Sequence, residues 1–327
     1  MGISSFLIYL LFDSDKKMIE DKLKCKVSRS SYHSDFIDYK IIGSLDDSKV
    51  KELEDTIKRK VSVIYKNFSY KVRVYGFYLS KKCDFEFIQT KDLVLGMSYD
   101  GLLTIPLHEE INNYLIVGAS GSGKSSLARS IIANLKHNDV EVWISDNKGS
   151  HDYDFLQLPM TKNVQDFISM LERFEELVEQ RLSENKKHEP LLYVIDEVFP
   201  IACLDSKTRS RVFNKLALIL SRCRSANCHV MIISQRSTTD IIDPRLLANI
   251  SNRICLSTSS KQESVNVLGS DIAFRIDTIG RGILSVNGHM TEFQSFYMKA
   301  PKNAKKTKSE TVKIESKTII GSERSWD

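Results

Sequence analysis

Three short stretches carry residues whose types and spacing suit phosphate chemistry. The first is Gly118-Ala119-Ser120-Gly121-Ser122-Gly123-Lys124-Ser125-Ser126, which fits G-x-x-x-x-G-K-[ST]. Glycines at that spacing let consecutive backbone N–H groups curl round a phosphate chain. A helix opening at the lysine adds the partial positive charge of its N-terminus. Lys124 would reach the β- and γ-phosphates, and the Ser125 hydroxyl would reach Mg²⁺. The second stretch, Leu191-Leu-Tyr-Val-Ile-Asp-Glu197, is an apolar run that ends in two acids. Beside such a loop Asp196 would hold Mg²⁺, often through water, and Glu197 would polarise an attacking water as general base. The third, Val230-Met-Ile-Ile-Ser-Gln-Arg236, ends an apolar run in polar residues. If it inserts between the first strand and the acid strand, Gln235 stands beside the γ-phosphate and reports its presence.

Each stretch also has a blander account: a chance Gly/Ser loop, a strand capped by exposed carboxylates, a generic turn. Context argues against the first, because Tyr114 to Val117 reads as a strand before the loop and Leu127 and Ile131 open a helix after it. The second acid points to hydrolysis. The guanine-reading N-K-x-D motif is missing, since Asn147-Lys-Gly-Ser150 ends in serine, so ATP is the expected nucleotide, although no residue identifies adenine.

The elements that must position these residues can be read from periodicity. After Ile111 buried strands alternate with helices, the pattern of a parallel sheet covered on both faces. Expected strands are Tyr114 to Val117, Val140 to Ser145, Leu191 to Ile195, Val230 to Ser234 and Arg253 to Ser257. Val164, Phe167, Ile168, Leu171, Phe174, Leu177, Val178 and Leu182 form the stripe of one long helix, and Val212, Leu216, Ile219 and Cys223 that of another. Gly282 to Val286 and Phe293 to Met298, joined through Asn287-Gly288, predict a closing hairpin.

Residues 1–110 read as a separate small α+β unit. It would hold an amphipathic helix from Ser48 to Tyr65, strands at Tyr70 to Tyr75 and Cys83 to Phe87, and a hairpin through Asp100-Gly101 joining Leu93 to Leu95 with Leu102 to Leu107. Residues 111–300 would be the α/β domain, and 301–327 a basic tail with too little apolar content to fold alone.

Composition excludes little. The 327 residues are 42% hydrophobic and 27% charged, ordinary for a globular chain. The net charge is +5, from 47 Lys/Arg against 42 Asp/Glu, and Pro301 to Asp327 supplies seven against four of these, so about +3 lies in the tail. Charge is thus weak support for a nucleic-acid partner. The six cysteines lack C-x-x-C spacing, which argues against zinc and for reduced thiols in a cytosolic protein. The apolar opening from Ile3 to Phe12 would rise roughly 15 Å as a helix, half of a bilayer's hydrocarbon, so it cannot span. It reads as a core element, a membrane-surface or partner contact, or the remnant of a longer anchor.

Taken in order, GASGSGKSS, ISDNKGSHDYDFLQLP, YVIDE, SRCRSANCHVMIISQRSTTD and LLANISNRICLSTSS resemble the motor domain of FtsK/SpoIIIE-type DNA translocases, over about Asn113 to Met298. The resemblance implies a RecA-like P-loop ATPase that assembles a hexameric ring and pumps double-stranded DNA through its pore. Gly118 to Ser125, Asp196-Glu197 and Gln235-Arg236 fall on its two nucleotide motifs and its polar sensor strand, and Ser126 is expected to join the nucleotide-binding loop. Arg224 falls on an arginine that reaches into the neighbouring subunit's ATP, although a plain surface arginine would look the same.

The chain also departs from the family. Ser237 stands where proline is common, Asn227-Cys228 replaces a Gly-containing pair, and neither a multi-span domain nor a winged-helix module is evident. The resemblance therefore implies a compact coupling ATPase for DNA transfer by a plasmid or integrative element, peripheral to a membrane or transfer channel that its N-terminus would contact. Lys148 and Arg236 are weak candidates for DNA contact. A viral genome-packaging ATPase and an ATP-dependent DNA-loading or regulatory factor that does not translocate are the alternatives. A small-molecule kinase lacks support, because no arginine-rich lid is visible.

Overall fold

The structure is a computed structural model. It describes residues 15–300 apart from short stretches at 33–35, 58–60, 67–68, 76–78, 80, 100, 109–112, 185 and 239–241. The expectations for the apolar opening and for the tail lie outside the described residues.

Strands β1 (Lys26–Tyr32), β2 (Phe36–Ile42), β3 (Val61–Lys66) and β4 (Ser69–Tyr75) form an antiparallel sheet in the order β1-β2-β4-β3. A helix over residues 15–23 and the helix Val50–Ile57 pack on it, burying Ile19, Leu23 and Leu53 with Tyr39, Val72 and Val74. The helix expected from Ser48 to Tyr65 is therefore too long: it stops at Ile57, and β3 occupies the end of that range. Val61, Val63, Ile64 and Tyr65 are β-branched or aromatic and fit a pleated surface, and that preference outweighs the helical spacing of Leu53, Ile57 and Val61.

The second sheet has eleven strands: β5 (Cys83–Asp84), β6 (Leu93–Ser98), β7 (Gly101–Ile105), β8 (Tyr114–Val117), β9 (Glu141–Asp146), β10 (Met160–Thr161), β11 (Leu191–Asp196), β12 (Cys228–Ser234), β13 (Asn252–Leu256), β14 (Arg281–Val286) and β15 (His289–Tyr297). Its order is β10-β9-β11-β12-β8-β13-β14-β15-β6-β7, parallel from β10 to β13 and antiparallel from there on, with β5 beside β15. The chain is thus of the α/β class, with a mostly parallel sheet covered by helices. Along β11, Leu191, Tyr193 and Ile195 join the layer under the helices Val164–Ser183 and Ser206–Arg222, while Leu192 and Val194 face the helix Lys124–His137. Burial on both faces is why this strand reads as an unbroken apolar run.

One boundary differs from expectation. The hairpin β6–β7, assigned from sequence to the N-terminal unit, belongs to the large sheet through Phe293↔Ser98 and Ser295↔Gly96. A cut at residue 110 would tear the sheet; the two sheets part between Tyr75 and Cys83. Gly96 marks the contact, because a Cβ there would lie 2.0 Å from the Gln294 carbonyl oxygen. The strand expected at Cys83 to Phe87 shrinks to the two residues of β5.

The strand order prepares a binding crevice. From β8 the chain crosses to β9, past positions later filled by β11 and β12, and β13 takes the other flank of β8. Reversal of direction beside β8 leaves space outside the carboxyl ends, where open α/β sheets take their ligands.

Candidate nucleotide site

The loop between β8 and the helix Lys124–His137 lies in that crevice. It is built against the sheet: the Ala119 N–H donates to the Ser257 carbonyl at 2.7 Å, and the Gly280 N–H to the Ser122 carbonyl at 2.9 Å. Gly123 has φ +108°, and a Cβ there would meet Gly280 backbone at 3.0 Å, so the loop tolerates only glycine at this position. Among the described residues no side chain caps the helix after the loop, which leaves its first N–H groups for an anion. The Ser122 hydroxyl is buried and has no hydrogen-bond partner among the described residues. A cradle of free donors with an orphaned buried hydroxyl fits a phosphate chain.

Lys124 is 5% exposed, and its ammonium donates to the carbonyls of Gly118 at 2.5 Å and Ala119 at 2.8 Å. Burial, and next the neighbouring Lys148, push its pKa down to about 8, while Glu197 and Asp196 pull the other way. Phosphates would restore the charged form, so by linkage nucleotide binding above pH 8 must take up protons. We expect affinity for ATP to fall as pH rises past about 8. Titration calorimetry about half a unit above that pKa, in two buffers of different ionisation enthalpy, checks this; equal heats would contradict it.

The register sets the acids level with the loop. Asp196 at the end of β11 pairs with Asp146 of β9 on one side and Ile233 of β12 on the other, and Ser234 pairs with Val117 of β8. The strand carrying Gln235 does insert between β8 and β11, so Lys124, Asp196, Glu197 and Gln235 gather at one edge of the sheet. Gln235 is half-buried just past β12. Glu197 is 6% exposed and holds φ +74°, an uncommon conformation for a non-glycine residue. Its backbone is fixed by the Ile233 carbonyl, which accepts from Glu197 N–H at 2.9 Å, and by the Asn147 amide, which donates to Glu197 O at 3.0 Å.

Two predicted positions behave differently. The Ser126 hydroxyl exchanges hydrogen bonds with the Met298 backbone, accepting at 2.9 Å and donating at 3.3 Å, so this side chain ties the end of β15 to the helix. Arg224 lies at the opposite edge, exposed on the turn Cys223–Ala226 that precedes β12, and has no side-chain partner among the described residues. The seven residues of β12 span roughly 20 Å, too far for Arg224 to touch a nucleotide on its own chain. Buried Asn113 holds that turn: its Oδ1 accepts from Val230 N–H at 3.1 Å and Cys223 Sγ at 3.2 Å, and its Nδ2 donates to the Leu220 carbonyl at 2.9 Å and the Asn249 carbonyl at 3.2 Å. The replacements noted in sequence are also accommodated. Asn227 takes the left-handed conformation at φ +48°, which asparagine tolerates best after glycine, and the Ser237 hydroxyl donates to the Glu263 carbonyl at 2.9 Å.

Sequence reasoning missed what surrounds Asp196. Lys148 donates to its Oδ1 at 3.0 Å and the buried Tyr153 hydroxyl to its Oδ2 at 2.8 Å. Asp146 stands alongside with its pKa raised, by burial first and then by Asp196. The available signal was a strand ending in Asp146 with a lysine two residues on, in the segment after β9. The Ser125 hydroxyl and the Asp196 carboxylate are hard oxygen donors of the kind Mg²⁺ takes. Among the described residues no group of three or more His, Cys, Asp or Glu side chains gathers as a metal site. An ion held by one or two protein oxygens plus phosphate needs no such cluster.

Fold and site together define an α/β domain of RecA-like architecture with a phosphate-binding loop at the carboxyl edge of its parallel strands. The family described as ATPases associated with various cellular activities (AAA) matches residues 114–258. The DNA translocase FtsK of Staphylococcus aureus is 25% identical over 239 residues, 62% of this chain and 30% of the relative. The DNA translocase SftA of Bacillus subtilis is 25% identical over 215 residues, 58% of this chain and 22% of the relative. The expected resemblance to FtsK/SpoIIIE-type translocases therefore holds in sequence, while the chain spans less than a third of the length of these relatives. Among solved structures, the pCW3 conjugation coupling protein TcpA, a monomer form with ATPγS, superposes with a TM-score of 0.63 at 17% identity, covering 89% of this chain and 94% of that one. This last likeness concerns the fold.

Proposed function

We propose that this chain is the ATP-hydrolysing motor of a double-stranded DNA translocase, acting as a homo-oligomeric, hexameric ring that couples hydrolysis to DNA transfer by a plasmid or integrative element. The observation that carries the reading is the division of labour between two edges of one sheet. Lys124, Asp196, Glu197 and Gln235 meet at the carboxyl edge, and Arg224 stands exposed at the other. A ring in which one subunit's Arg224 faces the next subunit's phosphate loop would complete the site. FtsK and SftA are named DNA translocases, which supports DNA as the load.

In this reading the loop N–H groups and Lys124 bind and orient the β- and γ-phosphates, with Ser125 and Asp196 as ligands for Mg²⁺, which when bound neutralises phosphate charge. Glu197 takes the proton of the attacking water. Gln235 holds the γ-phosphate side of the crevice and passes its loss to the segment after β12. Arg224 neutralises charge that builds on the γ-phosphoryl of the neighbouring site.

ATP hydrolysis measured with and without long double-stranded DNA tests the proposal. We expect strong stimulation at low salt, and the DNA concentration for half-maximal effect should rise about 10³-fold between roughly 50 and 200 mM salt, because backbone contacts release counter-ions. A rate that DNA leaves unchanged at low salt would remove DNA as the load and favour a loading or regulatory role.

A further inference from the structure

Asp196 is 1% exposed, and both of its carboxylate oxygens are engaged, by Tyr153 and by Lys148. The two partners differ in freedom. Tyr153 is buried in the apolar layer with Leu156 and Ile144, so its hydroxyl is fixed. Lys148 reaches Asp196 on a flexible four-carbon stem from a turn that is itself pinned: Asn147 N–H donates to the Asp196 carbonyl at 3.1 Å, Gly149 N–H to the Asp146 carbonyl at 3.1 Å, and Lys148 N–H to Asp146 Oδ1 at 3.2 Å. Its Nζ also lies 4.0 Å from Glu197 Oε2.

Asp146 and Asp196 end neighbouring strands as register partners, Glu197 follows Asp196, all three are buried, and a buried carboxylate needs a counter-charge. Lys124 does not supply it here, since its ammonium is bonded to the Gly118 and Ala119 carbonyls. Lys148 does, and it sits on the oxygen that a metal would need. An ammonium and a divalent cation brought to one carboxylate oxygen repel each other by several times thermal energy in a partly buried site, as Coulomb's law at an effective dielectric of ~20 gives, so the ammonium opposes the metal's approach to that oxygen.

We propose that Lys148 is a displaceable counter-ion that keeps the metal seat at Asp196 closed in the nucleotide-free protein and turns toward Glu197 when a metal-bound nucleotide arrives. The inference rests on the reading of Asp196 as the Mg²⁺ carboxylate. It assigns Lys148 a positioning role in the ATP site in place of the weak candidacy for DNA contact. Free Mg²⁺ alone should then have no purchase on the protein, so that metal and nucleotide enter together.

The test compares wild type, Lys148→Met and Lys148→Arg by thermal unfolding in EDTA and in about 10 mM MgCl₂ without nucleotide, and by binding of a fluorescent ADP analogue with and without Mg²⁺. In Lys148→Met the Tm falls in EDTA and recovers by about 3 °C with MgCl₂ alone, as expected for a ligand near ten times its dissociation constant. Wild type and Lys148→Arg show no such shift. Lys148→Arg, whose planar guanidinium holds a carboxylate through two bonds, binds the Mg²⁺ complex of the analogue about tenfold more weakly but the metal-free analogue as well as wild type does. If MgCl₂ alone stabilises wild type as much as Lys148→Met, or if Lys148→Arg binds the Mg²⁺ complex normally, Lys148 does not close the metal seat. If Mg²⁺ has no effect on analogue binding by wild type, the reading of Asp196 fails as well.

Discussion

Glu197→Gln binds ATP with near-normal affinity and hydrolyses it roughly 10³-fold more slowly, the loss expected when a positioned general base is removed. The amide has the same length as the carboxylate and can still accept from the Ser234 hydroxyl and the Phe199 N–H, both at 3.4 Å in the native site. What it cannot do is take a proton from water. Fold and loop are left intact, because the backbone of residue 197 is held by Ile233 and Asn147 and not by its own side chain. Single-turnover phosphate release alongside binding of labelled ATP separates the two effects. A rate within a few-fold of wild type would mean that another group activates the water, and Asp146, whose raised pKa reflects burial beside Asp196, would be the next residue to examine.

If the chain works as the proposed ring, Arg224→Ala has the larger expected effect, about 10³- to 10⁵-fold on turnover, the range for an arginine supplied across an interface. Nucleotide affinity of the monomer should not change, because β12 holds Arg224 roughly 20 Å away from its own phosphate loop. A mixing experiment gives the sharper outcome. Subunits carrying Arg224→Ala keep Glu197, and those carrying Glu197→Gln keep Arg224. Each variant alone is inactive, while mixed rings contain interfaces where an intact Glu197 faces an intact Arg224 and regain part of the rate. No recovery on mixing, with ring assembly verified, would leave Arg224 as a surface residue.

The parallel half of the sheet was legible in the sequence, with strand ends mostly within a residue or two, because strands buried on both faces leave unbroken apolar runs and the glycine-rich loop anchors the order of the later strands. The helix over Ser206–Arg222 was placed by its stripe from Val212 on, and its true start is set by Asp205, whose side chain accepts from Lys207 and Thr208 N–H. The features that stayed hidden depend on partners distant in sequence. Nothing within residues 93–105 says that β6 pairs with a strand nearly two hundred residues later, and the close approach at Gly96 is visible only once β15 is beside it. The same holds at the site. The loop and the acid pair are local patterns and were read directly, whereas Lys148 and Tyr153 reach Asp196 across more than forty residues of chain. Val61 to Tyr65 failed for another reason: two periodicities overlap there, and intrinsic preference decided between them.

The amide of Asn113 has mechanical consequences. One side chain clamps the turn that carries Arg224, the end of the helix at Leu220, the second residue past the start of β12 and the carbonyl of Asn249, while its own backbone leads into β8. β8 is four residues long, about 13 Å, and leads directly into Gly118, the first residue of the phosphate loop. The strand is thus a short strut with a clamp at one end and the loop at the other. A push received by the outward arginine is borne by the same strand that carries the phosphate loop, so strain at one edge of the sheet has a direct path to the other along β8.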